Sequence, residues 1–586
     1  MGEARGRRAG WRYFFMKDKF AIAADLRAIA RLLTIKGENP FKAQAYERGA
    51  SALEHLEGDL DPLIKARRLR EIPGVGSGLA AVIEEIYTTG ECWMLEQLRQ
   101  ELPTGAVELS QVPGLNLKKI IALHDALHIE TIAELKSACE EGLVSKVKGF
   151  GLKSQAKLLT DIGKLDTPKT SSLTLHAALE AAEDILHYLA GCPQLIQADV
   201  AGALRRRRET VREICIVAAS NQPQAVLDQF LRLPAVERTE ILEDFRCRAR
   251  LAAGTTAELV IVSPDRYVST LHALTGSRDH VAKLQAIADS SRVHRFPNQP
   301  GANDGQELKV NNELEIYRRL GLQYIPPEMR EDESEIEAAA AGRLPQVVAL
   351  EDIRGMTHCH TVYSDGRNSI EEMAFAAEAM GMAYMTITDH SPSAYYARGV
   401  AIDRLRAQWD EIARVQERVK VKLLKGTESD ILEDGQLDYP DYLLEQFDII
   451  IASIHSRHKM DSDQMTNRLL RALKLPLFKI WGHPLGRLIQ SRPPLACRME
   501  EVLDAIATSQ CAIEVNGDPK RLDLEPVWIR AARDRGIKFI ISTDAHSIAG
   551  LANLHYGVSM ARRGWLTPGE VLNTLDAKEF VEAVHP

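Results

Sequence analysis

Residues 355–366 read Gly-Met-Thr-His-Cys-His-Thr-Val-Tyr-Ser-Asp-Gly. A short strand candidate ends at Thr357 and runs directly into two histidines and an aspartate. The pattern recurs downstream. Strand candidates end at Thr357, Thr388, Gly426, Ser453, Gly482, Val515 and Thr543, with helical stretches between most of them. Alternating β and α elements at this density predict a parallel sheet, most simply closed as a (β/α)7 barrel. Just past the strand ends lie His358, His360, Asp365, His390, Glu428, His455, His483, Asp544 and His546. Strand C-termini of a parallel barrel converge on one face, so nine side chains are expected at a single mouth. Imidazole and carboxylate without thiolate suit zinc, manganese or iron used for hydrolysis. A carboxylate such as Glu428 can bridge two ions, and adjacent metals ionise water and neutralise phosphate. One histidine after a strand would be an ordinary structural residue. Nine in phase with successive strands are not.

Outward from the barrel, the chain is long enough for several domains at 586 residues, and its 45% hydrophobic and 26% charged content is that of a globular protein. The net charge of −9 is unevenly spread: residues 1–170 carry 25 Lys/Arg against 23 Asp/Glu, so the acidic excess lies downstream. A polyanion-binding surface is therefore expected in the first third. The eight cysteines are scattered with no CxxC pair, which suits a reducing cytoplasm rather than a disulfide framework. No run approaches the roughly 18–20 apolar residues that a membrane span needs. Residues 1–15 are basic and aromatic, do not read as a signal peptide, and precede a helical pattern that begins after Met16. Met16 is accordingly an expected start, with 1–15 a dispensable extension.

From 16 to 170 the apolar spacing is helical, with a Lys/Thr/Ser linker at 164–172. Three glycine turns punctuate it: Ile72-Pro73-Gly74-Val75-Gly76-Ser77-Gly78, Val112-Pro113-Gly114-Leu115-Asn116-Leu117-Lys118-Lys119 and Val147-Lys148-Gly149-Phe150-Gly151-Leu152-Lys153. Each follows one helix and opens another, a repeated helix–turn–helix unit. Such turns aim backbone N–H groups and a helix dipole at an anion, and Lys118 and Lys153 add positive charge beside them. Asn116 replaces the second glycine of the middle copy, so that copy is expected to be structural. Residues 171–327 read as mixed α/β, with strand candidates at 195–201, 214–218 and 258–262. The charged stretch 328–350 reads as a linker or bridging helix, leaving 351–586 for the barrel.

The run Thr357-His358-Cys359-His360-Thr361 with Ser364-Asp365-Gly366, Thr388-Asp389-His390-Ser391, Gly482-His483-Pro484 and Thr543-Asp544-Ala545-His546 resembles the PHP phosphoesterase domain. The resemblance implies a trinuclear site. His358, His360, Glu428 and Asp544 would hold one metal, Asp365, His390 and His546 a second, and Glu428, His455 and His483 a third. Gly486-Arg487 and Arg521-Leu522-Asp523-Leu524 match the form of this domain found in bacterial polymerases, and Arg487 is a candidate phosphate clamp or a structural salt bridge. The segment Gly202 to Ile216, with Thr275-Gly276-Ser277 and Tyr324-Ile325-Pro326-Pro327-Glu328, resembles X-family DNA polymerases, and the glycine turns resemble helix–hairpin–helix motifs that bind DNA phosphates without reading sequence. The whole chain from Met16 thus looks like a bacterial X-family polymerase carrying a C-terminal PHP domain, with the implied architecture of an all-α helix–hairpin–helix region, an α+β palm and an α/β barrel.

The departures fall in the palm. Two-metal nucleotidyl transfer needs three carboxylates, which the family supplies as aspartates. This sequence has Glu213 and Cys215 at the paired positions and Glu258 at the third. One extra methylene shifts a metal by on the order of 1 Å, enough for about a hundredfold in rate, and a thiol is a poor ligand for Mg²⁺. Ala203 replaces the serine that helps hold nucleotide phosphates. Magnesium or manganese is not expected in this palm. The run Arg205-Arg206-Arg207-Arg208 is either a phosphate-binding or a solvated turn.

The expected protein is a cytoplasmic, nucleoid-associated bacterial DNA-repair enzyme. It would bind gapped, nicked or 3′-damaged DNA and hydrolyse phosphoesters at 3′ ends as a 3′–5′ exonuclease, AP endonuclease or 3′-phosphatase. Three divalent ions of zinc, manganese or iron would serve it. The rivals are an active gap-filling polymerase, a small-molecule phosphatase of the histidinol-phosphatase type and a non-catalytic DNA scaffold.

Overall fold

The computed structural model describes residues 19–37, 40–54, 60–72, 74–89, 92–103, 105–110, 112, 114–166, 172–243, 245–251, 254–290, 310–332, 334–509 and 511–584. The expectations for residues 1–15 and Met16 lie outside them. The chain divides into two compact units, one ending at Lys169 and the other beginning at Thr170.

The first unit is all helical among its described residues. The glycine turns lead into α1 (Ser77–Thr89), α2 (Leu117–Leu127) and α3 (Leu152–Asp166). The three turns are built alike. Val75 N donates to Ile72 O at 3.0 Å, Leu115 N to Val112 O at 3.1 Å and Phe150 N to Val147 O at 3.0 Å. Gly74, Gly114 and Gly149 sit within those turns at φ of +88°, +87° and +95°, a backbone region that residues with a Cβ enter at a cost. The residue after each glycine is buried and pins its turn to the helical core.

In the second unit a five-stranded sheet comes first. It comprises β1 (Gln197–Val200), β2 (Glu213–Ala219), β3 (Val236–Glu243), β4 (Arg246–Leu251) and β5 (Thr256–Val262). Its order is β1-β2-β5-β4-β3, with only β2 and β5 parallel. The hairpin β3–β4 has no counterpart among the expected strands. The stretch 328–350, expected as a linker or bridging helix, contains the helix Glu335–Ala340 and is packed: Met329, Ile336, Ala339 and Val347 lie in one apolar cluster.

Seven parallel strands follow: β6 (Gly355–Cys359), β7 (Tyr384–Ile387), β8 (Lys422–Asp430), β9 (Ile449–Ser453), β10 (Ile480–Trp481), β11 (Ala512–Asn516) and β12 (Phe539–Ser542), each beside its neighbour in sequence. The first and last strands meet. Ala545 N donates to His358 O at 3.0 Å and His360 N to Ala545 O at 2.8 Å, so the sheet closes into the expected barrel. Tyr384, Leu424, Ile449, Ile451, Ile480, Ala512 and Ile540 pack with Phe580 of the C-terminal helix Ala577–Val584, whose ring lies 5.0 Å from that of Tyr384. The polar residues gather beyond the opposite, C-terminal ends of the strands.

Candidate metal centre

All nine side chains expected at the barrel mouth come together there. Glu428 is their hub. Its carboxylate lies 2.7 Å from His483 Nε2, 2.9 Å from His390 Nδ1, 3.1 Å from His455 Nε2, 3.4 Å from His358 Nε2 and 3.6 Å from His360 Nε2. Asp544 Oδ1 is 3.3 Å from His360 Nε2. At the rim, Asp365 is 3.3 Å from His546 Nε2 and 3.7 Å from His390 Nε2. Three sets have ligand atoms close enough to share an ion: His360, Asp365, His390 and His546; His358, His360 and Glu428; His390, Glu428 and His455. These sets overlap the three that the family resemblance implies. They differ in adding His360 to the rim set, in leaving Asp544 out of the set of His358, His360 and Glu428, and in grouping His390 rather than His483 with His455.

The electrostatics are those of a site short of cations. Burial opposes ionisation of Glu428, but His455, His390 and His358 hold its carboxyl well below the usual range. Asp365 falls to about 2: burial raises it, and His546 and His360 outweigh burial. Burial lowers His455, yet Glu428 and Asp430 bring it to about 9. His360 is pushed down to about 3 by burial and by neighbouring imidazoles. His358 Nε2, both ring nitrogens of His360, and His483 Nδ1 are buried without a hydrogen-bond partner. Unsatisfied buried acceptors are rare in folded proteins. Imidazole nitrogens left bare around a central carboxylate fit a divalent metal, and the donor set excludes a soft, thiolate-seeking ion.

Two residues of this shell, Glu514 and Asp430, went unseen in the sequence, and a third, Arg521, stood there only within the segment Arg521-Leu522-Asp523-Leu524 with no role of its own. Glu514, inside β11, accepts from His358 Nδ1 at 2.5 Å and from the backbone of His483 at 2.5 Å. Asp430 accepts from His455 Nδ1 at 2.7 Å. Such carboxylates fix the tautomer and orientation of a ligating imidazole. Arg521 points into the mouth: its Nε lies 3.3 Å from Asp544 Oδ2, its side chain is only 16% exposed, and Nε and Nη1 have no hydrogen-bond partner.

Arg487 is not a clamp. Its Nε donates to Arg521 O at 2.9 Å, and its remaining groups are taken by Glu525 and the Leu522 carbonyl. It lies 3.7 Å from Glu209, which also pairs with Arg563 at 2.7 Å. Arg487 therefore ties the barrel to the segment before β2. It lines a cavity of about 670 Å³ in which none of the nine mouth residues takes part.

The palm gathers Glu213, Cys215 and Glu258 on adjacent positions of β2 and β5, with Cys215 directly beside Glu258. Ala203 stands at the start of the neighbouring helix Gly202–Arg205. The carboxylates already have cations. Arg246 Nε donates to Glu258 at 2.7 Å, and Arg248 bridges Glu213 at 2.8 Å and Glu258 at 2.9 Å. Burial and the two glutamates push the Cys215 thiol up to about 12, so it stays protonated. Nor is the arginine run a free anion site throughout. Arg205 pairs with Glu313 at 2.7 Å and Arg206 with Glu331 at 3.0 Å.

In the helical unit Gly74, Gly76, Gly78, Gly114, Gly149 and Gly151 are exposed, as are Lys118 and Lys153. A Cβ at Gly76, Gly78 or Gly151 would meet nothing within 4 Å, so internal packing does not demand glycine there. Asn116 accepts from Lys119 N at 3.1 Å and caps its own helix.

Comparison with known proteins accords with this layout. Family models match as a helix-hairpin-helix domain over residues 18–92, a SAM-like helix-hairpin-helix tandem over 106–163, a DNA polymerase beta thumb over 270–331 and a PHP domain over 357–517. The "DNA polymerase/3'-5' exonuclease PolX" of Bacillus subtilis (strain 168) is 35% identical over 563 residues, covering 95% of this chain and 97% of that protein. A probable phosphatase of Thermoanaerobacter sp. (strain X514) is 28% identical over 230 residues, 37% of this chain and 89% of its own. A probable phosphatase of Shewanella sediminis is 25% identical over 230 residues, 37% and 88% of the two chains. With DNA-binding modules in front, a polymerase thumb between and a barrel of divalent-metal type behind, the chain belongs to the bacterial X-family DNA polymerases that carry a C-terminal PHP domain.

Proposed function

We propose that this protein is a DNA-end phosphoesterase whose barrel trims 3′ ends and whose palm has given up polymerisation. The observation that carries the reading is the contrast in cations: bare imidazole nitrogens surround Glu428, whereas Arg246 and Arg248 already occupy the palm carboxylates. His358, His360, Asp365, His390, Glu428, His455, His483, Asp544 and His546 would hold three divalent ions of zinc, manganese or iron. Bound there, such ions lower the pKa of water and neutralise charge on phosphate.

The chain's own groups have separate duties. Glu514 and Asp430 orient His358 and His455. Arg521 offers unpartnered N–H groups beside Asp544 and contacts the phosphate, a pairing that the guanidinium fork suits. Water adds to the last internucleotide phosphorus and the bond to the penultimate 3′ oxygen breaks. A nucleoside 5′-monophosphate leaves, and the shortened strand keeps a 3′-hydroxyl. The open glycine turns and Lys118 and Lys153 would seat the duplex backbone, with the palm as a positioning scaffold for gapped or nicked DNA.

The test is a labelled gapped duplex incubated with Mn²⁺-supplemented protein, with and without dNTPs, beside His358→Ala and a small phosphate ester. Ladder shortening that disappears in His358→Ala, with no primer extension, is expected. Primer extension would restore the polymerase reading. Cleavage of the ester but not of DNA would favour a small-molecule phosphatase.

A further inference from the structure

We propose that Tyr395 and Tyr396 form an aromatic platform at the rim of the metal centre that stacks the terminal nucleobase of the strand being cut. The proposal rests on the reading of DNA ends as substrate and adds how such an end is seated.

The two rings are among the most exposed large side chains described, at 86% and 68%. They belong to the loop that leaves His390. That loop is fixed at both ends. Ser391 N donates to Glu428 O at 3.0 Å, Ser393 N to Asp438 at 2.6 Å and Val400 N to His390 O at 2.7 Å. Gly399 closes it so tightly that a Cβ there would stand 1.9 Å from the Ser391 carbonyl. Between these anchors, one helical turn over Tyr395–Ala397 presents both rings to solvent. The Tyr396 ring centroid is 5.9 Å from that of His390 and 6.1 Å from that of His455.

Two neighbouring exposed aromatics on a pinned loop beside a buried charged centre form an apolar patch of the kind that marks binding sites. A nucleotide has the matching form, a charged phosphate joined through one sugar to a flat apolar base. The metal-ligand cluster and Arg521 suit the phosphate, and the Tyr396 ring next to His390 and His455, with Tyr395 exposed beside it in the chain, suits the base. Every base has a π-face, so a stack of this kind accepts any terminal nucleotide. A phosphatase for small sugar phosphates would have no use for it.

The test uses the full chain and two readouts. The first is binding without turnover, by the metal-loaded protein, of a single-stranded oligonucleotide with 2-aminopurine at its 3′ terminus and a non-hydrolysable 3′-methylene phosphonate as its last linkage. Stacking quenches its fluorescence in the wild type and in Tyr396→Phe, but not in the Tyr395→Leu/Tyr396→Leu variant, which keeps apolar bulk. The second is kcat/KM with Mn²⁺ on the same strand ending in a normal or an abasic 3′ nucleotide. The Leu variant is expected to lose roughly ten- to a hundredfold on the normal end, the scale of one lost base stack, and nothing on the abasic end. Equal losses on both ends, or unimpaired Leu variants, overturn the platform while leaving the exonuclease reading intact. A wild type that hydrolyses the small ester but no DNA overturns both.

Discussion

The barrel mouth and the palm each gather carboxylates from parallel strands, and each must neutralise them. At the mouth, Glu428 meets five imidazoles, five of whose ring nitrogens are buried without a hydrogen-bond partner. In the palm, Glu213 and Glu258 are bonded to Arg246 and Arg248 from the next strand. The first arrangement invites an external divalent ion, because imidazole nitrogens buried without a hydrogen-bond partner gain one only when a cation enters. The second has internalised its counter-charge. Retained acidic residues are therefore a poor guide to retained metal chemistry. What faces them decides.

The barrel side of this contrast breaks most visibly through Glu514. Its two oxygens hold the His358 ring and the His483 backbone. Glu514→Gln keeps the shape and loses the charge that orients His358. Metal affinity is expected to fall about ten- to a hundredfold, the usual result of losing a backing carboxylate. Competition with a chromophoric chelator measures it. Unchanged affinity would mean that the imidazoles are positioned by the strands alone.

The palm side is tested by Glu258→Gln, which deprives Arg246 and Arg248 of a shared carboxylate. Breaking a wholly buried pair costs about 3–5 kcal/mol. Both guanidiniums here are partly exposed, so about 1.5 kcal/mol is expected. The readout is the urea midpoint at constant m-value. Hydrolysis at the barrel should be untouched. A variant more stable than the wild type would show the glutamate to be a strained relic rather than a partner.

How much of this was legible in the sequence follows from locality. The nine mouth residues sit at or beyond the C-terminal ends of strands, so the order of strands already implied their meeting. Glu514 and Asp430 lie within strands. Their signal was present as charge at positions that a barrel strand fills with apolar side chains: Asp430 is two residues beyond Glu428 and shares its face. The palm's arginines had a signal as well. Residues 246–251 alternate Arg-Cys-Arg-Ala-Arg-Leu, the period of a half-buried strand, and the structure buries the Cys, Ala and Leu face. Reading that strand would have placed two guanidiniums opposite Glu258. Arg487 was beyond such reasoning. Its neighbour Glu209 is 278 positions away, and only the packing of palm on barrel brings them together.

The finest test asks whether the arginines alone keep metal out of the palm. Arg248→Ala frees Glu213 and half of Glu258, yet Cys215 remains a protonated thiol, its pKa pushed to about 12 by burial and the glutamates. A thiol offers Mg²⁺ no charge and little affinity. The single variant is therefore expected to show the same thermal midpoint with and without Mg²⁺ as the wild type does. Arg248→Ala combined with Cys215→Asp supplies three carboxylates and leaves Arg246 as the one guanidinium on Glu258. At a Mg²⁺ concentration near its Kd this variant should gain ~0.4 kcal/mol, a shift of about a degree. A shift in the single variant would make guanidinium occupancy the whole barrier. A null result in the double variant would place it instead in Arg246, still bonded to Glu258, or in the longer reach of the two glutamates, neither of which a change at position 215 corrects.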